Sequence, residues 1–338
     1  MVWAIALLIA GLAMIIKGGD LFVDAATWLA ERTGIPKFVV GATVVSLATT
    51  MPELIVSVMA ASAGQTDMAV GNAVGSVTVN TSLILGIALL SMPGKIPRKS
   101  ILLRSALLLA STGVILLCAL LQGALNKSTA LFLLALLAVF FADSLYAARQ
   151  GAAARPGLAE CSPAPESGSP QCPVENDPAA SPPPNAGTKA ALWQNMVQFV
   201  AGTALLVLGS RLLIDNGSAL ATLLGVPEGV IAVTVVALGT SLPELVTTIT
   251  SILKKERSLS VGNIIGANIL NMTLIMPLNA LVCGQALPIS AQFSAVDIPF
   301  CLLVCAVATI PALATQTFGR RQGACLVVLY AAYLFVVI

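Results

Sequence analysis

The sequence predicts an all-α polytopic membrane protein, with about ten transmembrane helices in two inverted five-helix repeats. Three observations predict this: too few charges for a water-facing shell, apolar runs long enough to span a bilayer, and an internal repeat with an odd number of spans in each half. Hydrophobic residues make up 57% of the 338, charged residues only 9%, and the mean hydropathy is +0.95. A soluble domain carries roughly 25% charged residues. The alternating signature of an outer-membrane barrel is missing. A net charge of +2, with no basic cluster interleaved with aromatics, excludes a nucleic-acid partner. There is no His, and the seven Cys show no metal-ligand spacing, so no cofactor of the zinc or haem kind is expected. The expected partners are the lipid bilayer and transported cations, and the chain is expected to be a monomer or weak homo-oligomer.

Taken in order, the predicted spans of the first half are 2–30, 36–62, 68–91, 101–121 and 128–147. Those of the second are 191–222, 226–253, 259–282, 290–314 and 322–338. The first apolar run has no basic n-region and leads into further spans, so it reads as a span and not as a cleaved signal. Residues 1–149 form the first repeat and 189–338 the second. Between them, 150–188 holds the tract Ser181-Pro182-Pro183-Pro184 among many Ala, Gly and Ser. That composition builds no packed core and predicts a disordered linker.

Charge bias sets orientation. With the N-terminus outside, Arg32, Lys37, Lys95, Arg98, Lys99, Arg104, Arg149, Arg155, Lys189, Lys254, Lys255, Arg257, Arg320 and Arg321 all fall on the cytoplasmic side. These are 14 of the 17 Lys and Arg. Only Lys127 falls in an outer loop, while Lys17 and Arg211 lie inside the first helix of each half. The positive-inside rule selects this arrangement, which places the chain in the cell (inner) membrane with the linker cytoplasmic.

Sliding the chain by 191 residues aligns the halves without a gap from Gly11 to Ile84. Matches include Gly11/Gly202, Gly18/Gly209, Asp24/Asp215, Pro36/Pro227, Thr49/Thr240, Pro52/Pro243, Glu53/Glu244, Gly71/Gly262, Asn72/Asn263, Gly75/Gly266 and Asn80/Asn271. Apolar helices match by composition, but Gly, Pro, Asn and Glu in register do not. Five spans per half force the second half to enter from the opposite side. Inverted repeats place a binding site at their interface.

The repeated chemistry lies in Ala48-Thr49-Thr50-Met51-Pro52-Glu53 and Gly239-Thr240-Ser241-Leu242-Pro243-Glu244. Both fall mid-span, where an ionised carboxylate is costly and persists only with a partner. No basic residue sits at matching depth, so a bound cation is the natural partner. Pro52 and Pro243 are helix-breaking: each removes the hydrogen bond to the carbonyl four residues earlier, Ala48 or Gly239. Such loosened helices offer backbone oxygens to ions where they line a cavity. Thr49, Thr50 and Glu53 share one helical face, as do Thr240, Ser241 and Glu244. Ser76 and Asn80 are likewise four apart in the next span. All these donors are oxygens, as Ca²⁺ and Na⁺ prefer. Gly71 and Gly75, and Gly262 and Gly266, are packing glycines that permit close helix approach. Against this stand commoner roles: hydroxyls in membrane helices bond their own backbone, and Asn72 and Asn263 cap helices or bridge spans. Asp20, Asp24, Asp143, Asp215 and Asp297 lie nearer span ends and read as interfacial or packing residues.

These residues resemble the cation/Ca²⁺ exchanger superfamily, particularly its prokaryotic sodium/calcium exchanger family. Gly-Thr-Ser-Leu-Pro-Glu at 239–244 with Gly262-Asn263-Ile264-Ile265-Gly266 is similar to the family's second α-repeat; 48–53 and 71–80 are similar to the first. The resemblance implies a sodium/calcium exchanger-like fold. It also implies Ca²⁺ extrusion driven by Na⁺ entry, with alternating access as the first helix of each half slides against the bundle. It implies as metal ligands Glu53, Glu244, Thr49, Thr50, Ser76, Asn80, Thr240, Ser241 and Asn271, joined by the backbone carbonyls of Ser46 and Ala237. Proton-coupled members carry a different glutamate motif. This chain departs from the family at Ala48, Thr50, Val77-Thr78, Ala267, where a hydroxyl ligand is lost, and Asn271, where many members have Asp. Since that Asp accompanies K⁺ use, Asn271 implies potassium independence.

The expectation is therefore a transporter and not an enzyme: a Na⁺/Ca²⁺ antiporter. The alternatives are a Ca²⁺/H⁺ or other divalent cation antiporter of the same fold, or a cation channel or transport-dead sensor.

Overall fold

The computed structural model describes residues 2–153, 189–223 and 237–337. The first half contains α1 (Val2–Thr33), α2 (Lys37–Thr49), α3 (Met51–Ser62), α4 (Thr66–Ser91), α5 (Arg98–Gln122) and α6 (Lys127–Ala153). The second contains α7 (Lys189–Leu223), α8 (Ala237–Thr240), α9 (Leu242–Leu253), α10 (Arg257–Val282), α11 (Phe293–Thr315) and α12 (Arg320–Val337). Seven of the described helices are long and apolar enough to cross a membrane, or eight when α2 and α3 are counted as one broken span. The α8–α9 pair and α12 take the two remaining places, giving ten. Most of the predicted linker, from residue 154 on, the start of the predicted 226–253 span and the repeat match at Pro227 lie outside the described residues.

The outer surface is apolar, as lipid requires. Trp3, Ile9 and Leu12 on α1, Leu120 and Leu121 on α5, and Trp193 and Val200 on α7 are all exposed. The enclosed elements are instead α4 and α10. Every residue from Leu259 to Leu270 is buried, which makes α10 the axis of the bundle.

Four two-residue strands record the inversion. β1 (Gly94–Lys95) links α4 to α5, β2 (Ala124–Leu125) links α5 to α6, β3 (Leu287–Pro288) links α10 to α11, and β4 (Thr317–Phe318) links α11 to α12. β1 pairs antiparallel with β4 and β2 with β3. The equivalent loops are β1 with β3 and β2 with β4, so the pairing is crossed. Repeats of the same orientation would put β1 beside β3; crossed pairing requires one repeat to be upside down relative to the other. Arg257 adds to the β1 face by donating to the carbonyls of Gly94 and Lys95, the latter at 2.8 Å.

Helices α1 and α7 pack antiparallel along a glycine seam. A Cβ on Gly11 would stand 3.0 Å from the Gly209 carbonyl, and one on Gly18 would stand 3.0 Å from the Gly202 carbonyl. The repeat pairs Gly11/Gly202 and Gly18/Gly209 therefore meet crosswise, as a twofold axis between the helices dictates. Ion pairs tie α1 to the bundle at one end: Lys254 at the end of α9 lies 2.8 Å from Asp24 and 3.4 Å from Asp20.

Arg104, counted among the charges of the cytoplasmic side and placed inside the predicted 101–121 span, lies within α5 and is 2% exposed. Removing a guanidinium from water is costly unless it is paired. Here Asp143 of α6 lies 3.0 Å away, the Ser100 carbonyl accepts a hydrogen bond at 2.7 Å, and the Phe38 ring lies 5.3 Å off. Asp143 is accordingly a pairing residue that joins α5 to α6.

Candidate functional site

The two glutamate motifs lie at breaks in their spans. The α2–α3 axis bends by 45° at Thr50, whose backbone (φ −81°, ψ −2°) sits between helix and turn. Ser241 repeats this between α8 and α9 (φ −86°, ψ 7°). Pro52 and Pro243 fall in the first turn of the second half-helix. A missing N–H is harmless there, while the carbonyl four residues back loses its donor. Glu53 and Glu244 therefore open α3 and α9. Both are fully buried.

The helices that face them are also distorted. α4 carries a wider π-type turn at Asn80–Ile84, and α10 carries one at Asn271–Ile275. A third lies in α2 at Gly41–Val45. Single π turns inside α-helices re-aim side chains and recur at functional sites. Here both begin on the repeated asparagines, Asn80 and Asn271.

Glycine brings the layers together. A Cβ on Gly262 would lie 2.3 Å from the Phe38 carbonyl, and one on Gly266 would lie 2.3 Å from the Ala42 carbonyl and 2.6 Å from Ser46 Oγ. Only hydrogen fits, so α10 lies directly on the α2 backbone. Gly41 is equally tight against Leu259 and was not singled out in the sequence because its repeat mate is alanine. Gly71 meets the Phe293 ring, and no described atom lies within 4 Å of a Cβ on Gly75.

Two asparagines join the repeats in a symmetric pair of contacts. Thr49 Oγ1 lies 3.2 Å from Asn263 Oδ1, and Thr240 Oγ1 lies 3.2 Å from Asn72 Oδ1. Each threonine hydroxyl thus donates to the asparagine of the opposite repeat. The Asn72 amide in turn donates to the Glu53 carbonyl (3.1 Å) and to Ser57 (2.8 Å), and that of Asn263 to Thr247 (3.1 Å). Thr50 Oγ1 approaches Glu244 Oε1 at 3.5 Å. Bridging spans was one of the two commonplace roles open to Asn72 and Asn263, and these contacts select it.

Among the buried polar atoms left without a partner is a set on the motif residues themselves. Both oxygens of Glu53, Oε2 of Glu244, Ser76 Oγ, Ser241 Oγ, both polar atoms of Asn80 and Asn271 Oδ1 find no hydrogen-bond partner. None of the ion pairs among the described residues involves either glutamate. Buried polar atoms without partners are expensive, and here they come from α3, α4, α8–α9 and α10 together. The set is rich in hard oxygens and has no cationic side chain, which is the donor chemistry of Ca²⁺ and Na⁺ sites. Ala267 is fully buried and adds no oxygen. Ala237 opens α8. The Ser46 carbonyl already accepts from the Thr50 N–H at 2.9 Å and lies 3.3 Å from the Thr49 hydroxyl.

Comparison with known proteins agrees with the fold and the motifs. A family model described as sodium/calcium exchanger protein matches residues 3–145 and 195–338. The inner membrane protein YrbG of Escherichia coli is 36% identical over 283 residues, covering 83% of this chain and 81% of that one. The putative antiporter CaxA of Alkalimonas amylolytica is 31% identical over the same shares. The sodium/calcium exchanger MaX1 of Methanosarcina acetivorans is 28% identical, covering 98% of this chain and 97% of its own. Among solved structures, the sodium-calcium exchanger NCX_Mj soaked with zero Na⁺ and Ca²⁺ superposes with a TM-score of 0.78 at 21% identity, over 100% of this chain and 99% of that one. With repeats, motifs and fold in agreement, this chain belongs to the sodium/calcium exchanger protein family.

Proposed function

We propose that this chain is a secondary active antiporter that exchanges Na⁺ for Ca²⁺, and that it is a transporter and not an enzyme. The observation that carries the reading is the set of unpartnered buried oxygens around Glu53 and Glu244, contributed by both repeats. One Ca²⁺ balances two carboxylates, as do Na⁺ ions bound in turn. Because both ions need the same oxygens, their occupancies exclude each other, and exclusion is what couples two fluxes. Glu53, Glu244, Thr49, Thr50, Ser76, Asn80, Thr240, Ser241 and Asn271 supply the side-chain oxygens in this reading, with the carbonyls of Ser46 and Ala237. The site has no third carboxylate, since Asn271 stands in the corresponding place, and this supports exchange without K⁺.

The same reading keeps the N-terminus outside and the 150–188 linker cytoplasmic. The face bearing β1, β4 and the Lys254–Arg257 turn is then the cytoplasmic one. A second reading, proton coupling or another divalent ion in the same fold, draws on Ala267, where a ligand hydroxyl is missing.

The test is ⁴⁵Ca²⁺ uptake into proteoliposomes loaded with Na⁺. Uptake should require an outward Na⁺ gradient and proceed without K⁺. Uptake indifferent to Na⁺, with alkalinisation of the lumen as H⁺ leaves in exchange for entering Ca²⁺, would favour proton coupling.

A further inference from the structure

The half-helices carrying the glutamates run from the site to opposite faces of the bundle. α3 ends at the 63–65 turn and α9 at the equivalent turn on the β1/β4 face. The turns match in backbone: Gly64 (φ +75°) and Lys255 (φ +60°) are repeat mates, and so are the bonds Gln65 N–H to Ala60 carbonyl (2.9 Å) and Glu256 N–H to Ser251 carbonyl (2.7 Å). Their linings differ.

Along α3 the face of Glu53 continues through Val56 and Ser57 to Ala60. Ala60 and Ala61 pack on Ala69 of α4 as a small apolar cluster. Along α9 the face of Glu244 continues through Thr247, Thr248 and Ser251, all buried, and Ser260 of α10 stands in the place of Ala69. Three apolar positions of the first repeat (Val56, Ala60, Ala69) thus become hydroxyls in the second (Thr247, Ser251, Ser260). Two side chains on this track are unsatisfied: Thr248 Oγ1 and Ser260 Oγ, at 0% and 1% exposure, have no hydrogen-bond partner. A buried hydroxyl is costly without a partner. Ala60 and Ala69 fill the matching places of the first repeat, so the fold does not need hydroxyls at Ser251 and Ser260; Thr248 matches Ser57, a buried hydroxyl that already accepts from the Asn72 amide.

We infer that Thr248, Ser251 and Ser260 form a second, low-affinity cation subsite between Glu244 and the β1/β4 face, where a partly dehydrated Na⁺ or Ca²⁺ rests between water and the central site. On the Glu53 side only Ser57 carries a hydroxyl, and it already accepts from Asn72, so ions meet two chemically different approaches. This rests on the cation-transport reading of the central site.

The test is sided Ca²⁺ flux in right-side-out and inside-out vesicles, with S251A/S260A and the reverse graft A60S/A69S. S251A/S260A should raise the KM for the cation presented on the β1/β4 face by about fivefold, the scale of a lost polar contact, and leave the opposite KM unchanged. A60S/A69S should lower the KM on the opposite face alone. Equal changes on both faces would make the serines merely structural and overturn the inference, as would no change in either variant. If S251A/S260A fails to fold, the graft still decides. Wild-type flux that ignores Na⁺ would remove the exchange reading while leaving the sidedness measurable.

Discussion

At the scale of single residues, the proposed site rests on two acids that the repeat makes equivalent and the packing makes unequal. Glu244 meets the Thr50 hydroxyl, whereas neither oxygen of Glu53 has a partner. Glu→Gln at either position keeps the shape and removes one charge, so E53Q and E244Q should each fold and lose Na⁺-driven Ca²⁺ uptake by at least about a hundredfold, as expected when a buried charge loses its counterpart. Wild-type flux in either variant would count against both carboxylates binding the ion. Ala267→Ser should return a hydroxyl to the site and lower the KM for Ca²⁺; an unchanged KM would mean that this position does not face the ion. The acids, hydroxyls and prolines were legible in the sequence because an intramembrane charge, duplicated with its context, has few explanations. The tasks of Asn72 and Asn263 were not. Their partners, Thr240 and Thr49, lie 168 and 214 residues away, and nothing local distinguishes a bridging asparagine from a capping one. The ion pair of Arg104 was hidden for the same reason: only its fold partner Asp143 makes a buried guanidinium tolerable.

At the scale of elements, the described span ends follow the hydropathy to within six residues, and the breaks at Thr50 and Ser241 follow from Pro two residues on. The π-type turns were not legible. They depend on α4 and α10 accommodating an extra residue against their neighbours, and no residue preference announces them. Glycine was half legible: the matches in register were plain, but that Gly11 meets Gly209 and Gly18 meets Gly202 becomes visible only once the repeats are inverted. Gly266→Ala would put a Cβ 2.3 Å from the Ala42 carbonyl, a backbone atom that cannot step aside alone. We expect a loss of roughly 1–3 kcal/mol, the usual range for overpacking, with a lower thermal unfolding midpoint in detergent. An unchanged midpoint would show that α2 and α10 separate without cost.

At the scale of the whole molecule, the crossed pairing of β1 with β4 and β2 with β3 states the inversion most compactly. Lys95 and Gln285 lie in equivalent loops of the two repeats. Single cysteines placed there in a cysteine-free chain should react with an impermeant maleimide from opposite sides of the membrane. Reaction from the same side would contradict the inverted topology. Inversion matters because, in the proposed reading, it gives one site two related exits whose flanking helices differ, with Ala60 and Ala69 on one side and Ser251 and Ser260 on the other. The central claim is that both repeats hold one shared ion. It is tested most directly by equilibrium ⁴⁵Ca²⁺ binding to the purified chain, titrated with Na⁺. A single Ca²⁺ should bind, be displaced competitively by Na⁺ and be lost when either glutamate is replaced by glutamine. Binding that survives both replacements, or that Na⁺ fails to displace, would contradict it.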